Sequence, residues 1–465
     1  MKILITAGYF PPYCPASASR VNKLAKYLVD QGHDVRVLSP KDSRFPETLK
    51  AEIPQDQIFY THYTDINDIP VRFKKAFRSI VSQKNKSTNK EVKQEQPATP
   101  LKTTSQPAVI KKESFISWLY RALTNIPDNS VGWYYHAIKA GRTLFKQWRP
   151  DIIFATAPPF TSLLVGSRLA RIAGIPWVAD YRDLWSDHGY YDSGYLRRMV
   201  DILLEKYMLS NCKGLVTVTE SWTDLLRKKR NKPVICVMNG FDPEDFYLND
   251  EKSDGNENLL VEEKITILYA GHLYGQKRDP SLLFEAIGGL ADKAKNFKII
   301  FYTENGLDDF NASQKKLVAK YQLENVIEFN TYIPQKELHK VQQQVDILLL
   351  LRWNDPREDS VIAGKLFEYI GANKPILSVG SITGEAADII RDNDFGCVSC
   401  DPDEIGHFLL QKFQEKQSKI PLKLNDNSRN NFKRVEQFSK LEKFLSDISQ
   451  NKNMPFKSSV NISSQ

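Results

Sequence analysis

Three short segments bring together residue types suited to holding a phosphorylated ligand. The first is Tyr9-Phe10-Pro11-Pro12 followed by Pro15-Ala16-Ser17-Ala18-Ser19-Arg20. Small residues and the hydroxyls of Ser17 and Ser19 at a helix N-terminus leave free N–H groups for an anion, and Arg20 adds charge. The same residues also fit a serine N-cap on an ordinary βα loop. The second segment runs Asp359-Ser360-Val361-Ile362-Ala363-Gly364-Lys365-Leu366-Phe367-Glu368-Tyr369. Lys365 and Glu368, three residues apart, share one face of a helix starting near Ala363, while Leu366 and Phe367 can pack inward. The N–H groups at such a start suit a diphosphate, and a carboxylate one turn on suits ribose hydroxyls. A solvated Lys–Glu pair is the alternative. The third segment is Gly271-His272-Leu273-Tyr274-Gly275-Gln276-Lys277-Arg278, where two adjacent cations and two glycines suit phosphate charge, as they also suit a plain surface loop.

Each segment follows a run that reads as a strand. Such runs recur at Lys2–Thr6, 35–38, 152–155, 177–180, 214–218 and 234–237, then at Ile265–Ala270, 298–302, 326–329, 346–351, 375–379 and Gly396–Ser399. They are apolar without alternation, which fits strands covered on both faces of a parallel sheet. Helical periodicity lies between them, as in Val21, Leu24, Ala25 and Leu28, with stops at Gly32, Gly174 and Asn373. This predicts two doubly wound α/β domains, residues 1–247 and 264–425, separated by the polar stretch Leu248–Glu263. Ligands of such sheets bind at the strand C-termini, so the domains are expected to face a shared cleft. The spacing also predicts a helix over 429–448, with Phe432, Val435, Phe438, Leu441, Phe444 and Leu445 on one face, crossing back to the first domain. A disordered insert at 84–112 and a disordered tail at 451–465 complete the expected organisation.

The 465 residues carry a formal charge of +8, yet residues 71–112 alone hold 11 Lys/Arg against Glu91 and Glu95. The remainder is near neutral, and neither an RNA-binding module nor a Walker loop is present, which argues against nucleic acid as partner. Within 71–81, Phe73, Ala76, Phe77 and Ile80 form an apolar stripe among Arg72, Lys74, Lys75 and Arg78. That pattern suits a helix on an anionic membrane, and equally a helix packed on the first domain. Five cysteines form no disulfide framework and suit a reducing compartment. The expected location is therefore the cytoplasm, with peripheral attachment to the inner face of the plasma membrane if 71–81 binds lipid. Cys397-Val398-Ser399-Cys400 is a lone pair without further ligands, read as structural, and no metal site is expected.

The order of these elements resembles the GT-B glycosyltransferases of family 4. The resemblance rests on Gly32-His33-Asp34-Val35, Asn239-Gly240-Phe241-Asp242, Gly271 to Arg278, and Gly364-Lys365-Leu366-Phe367-Glu368-Tyr369 followed by Lys374-Pro375. Ala157-Pro158-Pro159 and Asp180-Tyr181-Arg182-Asp183-Leu184-Trp185 further resemble a bacterial branch that makes surface polysaccharides. The resemblance implies a nucleotide-sugar donor held mainly by the second domain, a glycan or lipid-linked saccharide acceptor held mainly by the first, retention at the anomeric carbon, and no metal.

Residue by residue, the resemblance places the ribose on Glu368 and the donor diphosphate on Lys277. The usual partner of that lysine, an arginine, falls on His272, with Arg278 as its replacement. The first carboxylate of the family's pair falls on Ser360, beside Asp359. The base is expected near Thr331-Tyr332-Ile333. In the first domain Asp183 or His188 would orient acceptor or sugar, although Arg182 and Asp183 also fit a structural ion pair. Two further readings remain open: a non-catalytic or partner-dependent sugar-nucleotide-binding subunit, and a sugar-nucleotide 2-epimerase.

Overall fold

The computed structural model describes residues 1–14, 18–42, 44, 49–70, 115–191, 194–246, 263–275 and 277–450. Ser17, the 71–81 stripe, the 84–112 insert, nearly all of the polar stretch between the domains and the 451–465 tail lie outside these residues.

Strands and helices largely alternate along the chain. The first series is β1 (Lys2–Ala7), α1 (Ser19–Asp30), β2 (Asp34–Pro40), β3 (Ile58–Thr61), α2 (Phe115–Thr124), α3 (Tyr134–Gln147), β4 (Ile152–Ala157), α4 (Thr161–Ala173), β5 (Trp177–Tyr181), α5 (Tyr195–Leu209), β6 (Gly214–Thr217), α6 (Glu220–Lys229) and β7 (Val234–Cys236). Its sheet has the order β3-β2-β1-β4-β5-β6-β7. The second series is β8 (Ile265–Ala270), α7 (Ser281–Gly289), β9 (Phe297–Tyr302), α8 (Ala312–Lys320), β10 (Ile327–Asn330), α9 (Gln335–Gln344), β11 (Ile347–Arg352), α10 (Gly364–Ala372), β12 (Ile376–Gly380), α11 (Glu385–Asp392), β13 (Gly396–Ser399), α12 (Pro402–Gln417), α13 (Asp426–Asn430) and α14 (Arg434–Ser449). Its sheet, β10-β9-β8-β11-β12-β13, is parallel at every pairing. Both orders are doubly wound, with strand order reversing at β1/β4 and β8/β11.

Unbroken apolar runs are the reason for this architecture. All six residues of β4, β8 and β11 are buried. In β11, Leu348 and Leu350 join one core while Ile347, Leu349 and Leu351 join the core on the opposite face. Helices end where the sequence permits a left-handed residue, at Gly174 after α4 and at Asn373 after α10. Packing density divides the chain into one unit of Met1–Asp180 with Trp185–Cys212 and another of Tyr181–Leu184 with Lys213–Gln465.

One strand goes beyond the sequence reading and one expected helix is corrected. The edge strand β3 escapes the sequence reading because three of its four residues are only partly buried and it carries no long apolar run. The expected 429–448 helix is two helices, α13 and α14, broken at 431–433. The break arises because Phe241 and Phe432 exchange a backbone hydrogen bond (N···O 3.0 Å) and the Arg434 amide returns to Phe241 O (2.8 Å). Phe432 therefore leaves the helical stripe to enter the core with Phe241, Phe246 and Phe367. Val435, one residue into α14, is exposed, and the buried face runs through Phe438, Leu441, Phe444, Leu445 and Ile448. Phe444 and Ile448 close over Gly214, where a methyl group would stand 2.4 Å from Ile448 Cδ1.

Candidate functional site

Two of the three segments, those of Gly271 and Lys365, meet at the C-terminal ends of β8 and β11. β8 ends at Ala270, and Gly271 takes φ +131°, with its amide donating to Tyr302 O (2.9 Å). Lys365, on the first turn of α10, lies directly against this glycine: a Cβ there would stand 2.1 Å from Nζ. The ammonium also sits 4.7 Å from the centroid of the Tyr269 ring. That ring is held below it, because the buried Tyr269 hydroxyl donates to His272 O (2.7 Å). Burial, assisted by the neighbouring Arg278 and opposed by Glu368, pulls the Lys365 pKa down to about 8. A lysine kept short of water in this way is suited to meet an anion.

Arg278 stands close enough to disfavour the Lys365 charge, and further cations lie on the segments after β8 and β11. Arg278 lies 3.4 Å from Glu358 Oε2 and is fixed by its amide on Leu273 O (3.0 Å). Lys277 Nζ lies 4.5 Å from the ring centroid of Trp353, which Arg357 also approaches at 5.3 Å. Arg352, the last residue of β11, is 7% exposed; one Nη donates to Ser381 O (2.8 Å) and the other is buried without a protein partner. Burial pulls its pKa down, with Asp359 opposing. Sequence reading passed over Arg352 and Trp353 because they end an otherwise apolar run.

α10 itself starts without a side-chain cap at Ala363. Gly364 leaves open space before the helix, and the first amide with an internal partner is that of Leu366, on Ala363 O (3.0 Å). The amides of Gly364 and Lys365 thus precede the helical ladder. Leu366 is wholly buried, so neither its side chain nor its amide faces outward. Glu368 is half-buried, one turn along from Lys365.

His272 is exposed, 3.5 Å from Glu304 Oε2, with its ring 5.5 Å from Tyr274 and 5.4 Å, edge to face, from Tyr332. The Tyr332 segment thus stands beside the β8 loop in an aromatic cluster. Ser360 is held by a residue 138 positions away: Trp222 Nε1 donates to its hydroxyl (3.0 Å). Next to it, the Asp359 carboxylate accepts from Thr383 Oγ1 (2.8 Å). Glu385 accepts from the amides of Glu220 (2.8 Å) and Ser221 (2.6 Å), placing a carboxylate on the N-terminus of α6.

The remaining sequence-predicted residues are placed elsewhere. Ser19 begins α1, whose N-cap is Ala18 with no side-chain cap, and Arg20 is buried on that helix. Asp183 is exposed in the turn after β5, and His188 is half-buried further on. The two fall in different units. His188 Nδ1 accepts from the Tyr190 amide (3.1 Å), so the neutral ring carries its proton on Nε2 and presents a donor. A buried carboxylate missed by sequence reading, Asp128, accepts from the amide (3.0 Å) and hydroxyl (2.7 Å) of Thr161 at the start of α4. Burial pushes its pKa up. Cys397 and Cys400 are free thiols, and among the described residues no cluster of three His, Cys, Asp or Glu side chains suits a metal ion.

A family model described as a glycosyl transferase 4-like domain matches residues 113–240. No curated protein matches the chain in sequence. Among solved structures, sucrose-phosphate synthase from Thermosynechococcus elongatus aligns over 97% of this chain and 99% of its own, with TM-score 0.58 and 13% identity. HepE of Anabaena, solved in complex with UDP-glucose, aligns over 96% and 100%, with TM-score 0.56 and 15% identity. A glycosyltransferase from Rickettsia africae aligns over 97% and 99%, with TM-score 0.53 and 16% identity. A proposed UDP-N-acetylglucosamine 2-epimerase from Listeria monocytogenes also aligns, over 98% of both chains, with TM-score 0.52 and 9% identity. Two doubly wound sheets and end-to-end alignment with such proteins show that the chain has the GT-B fold, and residues 113–240 match a glycosyl transferase 4-like domain.

Proposed function

We propose that this protein transfers a glycosyl group from a nucleotide-diphosphate sugar to a glycan or lipid-linked saccharide acceptor, with retention at the anomeric carbon, in cell-surface polysaccharide synthesis. One observation carries the reading. At the point where strand order reverses in the six-stranded sheet, a half-buried lysine is held against Gly271, with Arg278 beside it and Glu368 one turn further on. In the reaction the bond from the anomeric carbon to the β-phosphate oxygen breaks as the acceptor oxygen bonds to that carbon, and the acceptor proton passes to the departing diphosphate. Negative charge grows on that diphosphate. Lys365, Arg278, Lys277 and the leading amides of α10 are the groups that stabilise it, a role otherwise suited to a metal ion. Glu368 holds the ribose hydroxyls, the Tyr332 segment receives the base, and Asp183 or His188 orients the acceptor or sugar. The reaction runs in the cytoplasm, where nucleotide sugars are made, with a lipid-linked acceptor reached at the membrane face.

Ser360 gives a second reading some weight. Its hydroxyl is bonded to Trp222, and no carboxylate occupies its position, so a sugar-binding subunit without transfer activity, or an epimerase, fits the same donor site.

The first test is a thermal-shift panel of nucleotides and nucleotide sugars. Ligand at about 100 times its Kd adds about 2.7 kcal/mol of stability, which reads as a clear melting shift. Glu368→Ala should weaken the best ligand by about 10- to 100-fold, as expected when a charged hydrogen-bond acceptor is removed. An unchanged shift in Glu368→Ala defeats the ribose assignment. Donor hydrolysis then separates the readings: binding without sugar release across donors and acceptors favours the subunit, and an isomeric sugar nucleotide favours the epimerase.

A further inference from the structure

Helix α5 is turned inside out with respect to charge. Its two acids face the protein: Asp201 and Glu205 are each 2% exposed. Asp201 accepts from Arg197 Nε (3.0 Å) and from the Tyr191 hydroxyl (2.7 Å), and Glu205 accepts from Ser186 Oγ. Outward it presents Tyr195, Leu196, Met199, Val200, Leu203 and Tyr207, with Leu196 80% and Leu203 63% exposed. At steps of one, three and four residues these six form a single stripe along the helix. The only charged residues exposed on this helix are the cations Arg198 and Lys206. A third cation, Arg171, stands 4.1 Å over the ring of Tyr207 and donates to Tyr207 O (2.6 Å). Arg197 bonds the carbonyls of Asn125 (2.8 Å) and Pro127 (2.7 Å) just beyond α2, whose Leu119 and Leu123 are also exposed.

From this arrangement we infer that α5 lies flat on an anionic phospholipid surface, its apolar stripe among the acyl chains and its cations at the headgroups. Charge selects this occupant. In a symmetric pair of copies the same patch faces itself, which would bring Arg198 and Lys206 against like charges. A bilayer carrying acidic headgroups instead meets those cations with opposite charge, and Tyr195 and Tyr207 near the two ends place amphipathic rings at the level where such rings settle. At 15 residues the helix is about 22 Å long, too short to cross a bilayer. Among the described residues no helix is long and apolar enough to do so. The inference is independent of the proposed reaction, because it is read without any donor.

The test is co-sedimentation of the full chain with phosphatidylcholine vesicles, with and without phosphatidylglycerol. Wild type should bind the phosphatidylglycerol vesicles, and added salt should weaken binding. Leu196→Asp with Leu203→Asp should lower partitioning by about tenfold or more, since both leucines would leave the acyl region. Arg198→Gln with Lys206→Gln should lower only the part that depends on phosphatidylglycerol; it keeps the apolar stripe and thus guards against a folding defect in the aspartate variant. Three results overturn the inference. One is aspartate-variant binding equal to wild type. Another is a wild-type dimer in solution that Leu203→Asp splits while vesicle binding is absent, which assigns the stripe to a second copy. The third is complete loss of binding on neutralising Lys74, Lys75 and Arg78 alone, which assigns lipid contact to 71–81.

Discussion

Replacing Lys365 by Met should make the ligand-free protein more stable and its nucleotide-sugar chemistry about 10²–10³-fold slower. The two effects have one cause. Burial holds the Lys365 pKa at about 8, against 10.5 for the ordinary side chain, so the folded state disfavours the charge that the unfolded chain keeps. A difference of that size corresponds to on the order of 3 kcal/mol below pH 8, where both states are protonated. Between about pH 8 and 10.5 the folded protein has released this proton and the unfolded chain has not. Unfolding then takes up a proton, so this group's contribution to stability rises with pH across that window. Met keeps most of the side-chain volume and removes the penalty, so the variant should gain stability at pH 7 and lack the rise. Urea denaturation of both proteins at pH 7 and pH 9 measures this directly. The functional half follows from the opposite sign. A diphosphate restores the charged form, so donor affinity in wild type should fall above pH 8 by up to about tenfold per pH unit, and Lys365→Met should show no such slope. Equal stability of the two proteins at pH 7 would contradict the burial argument.

Gly271→Ala should slow the reaction nearly as much, at a moderate cost in stability. The added methyl would stand 2.1 Å from Lys365 Nζ and 2.8 Å from Cε. Those atoms are the mobile end of a long side chain, so the clash is relieved when the lysine swings away, and no core atom need move. What remains is the backbone: φ +131° is a region that side-chain-bearing residues adopt at a cost of about 1–3 kcal/mol. The expected result is a melting temperature a few degrees lower, with a rate loss approaching that of Lys365→Met. Because both substitutions act on one ammonium, combining them should cost hardly more activity than Lys365→Met alone. Activity losses that multiply in the double variant would show that Gly271 serves some other end.

Much of this site can be read from the chain because each of its parts is local. Gly271, Lys277 and Arg278 directly follow an apolar run, and Lys365 and Glu368 are separated by one helical turn, so strand ends and helical period suffice to bring them to one edge of a sheet. The strands were legible for the same reason: residues such as those of β8 and β11 are buried on both faces and need no alternation. The features that escaped depend on contacts distant in sequence. Nothing around Ser360 announces an indole from α6, and nothing in Glu220-Ser221 announces the carboxylate of Glu385. Arg352 looks like the polar end of a strand until its buried guanidinium is seen. The break before α14 likewise comes from Phe241, whose backbone claims the one residue that periodicity alone would have kept helical.

That last contact has a consequence for how the chain is joined. Residues 237–246, which precede the stretch 247–262, are fastened to what comes after it. The Phe241–Phe432 bridge, the ion pair of Arg434 with Asp242, the Phe246 ring on Gly371 and the Gln343 bond to Phe246 O (2.7 Å) all span the stretch. The covalent connection is thus duplicated by packing. A chain cut once between 247 and 262 should run as two pieces on a denaturing gel and as one species on a native column. The same duplication makes this stretch the natural place for new termini in a permuted protein, with the old peptide link replaced by contacts that the fold already holds.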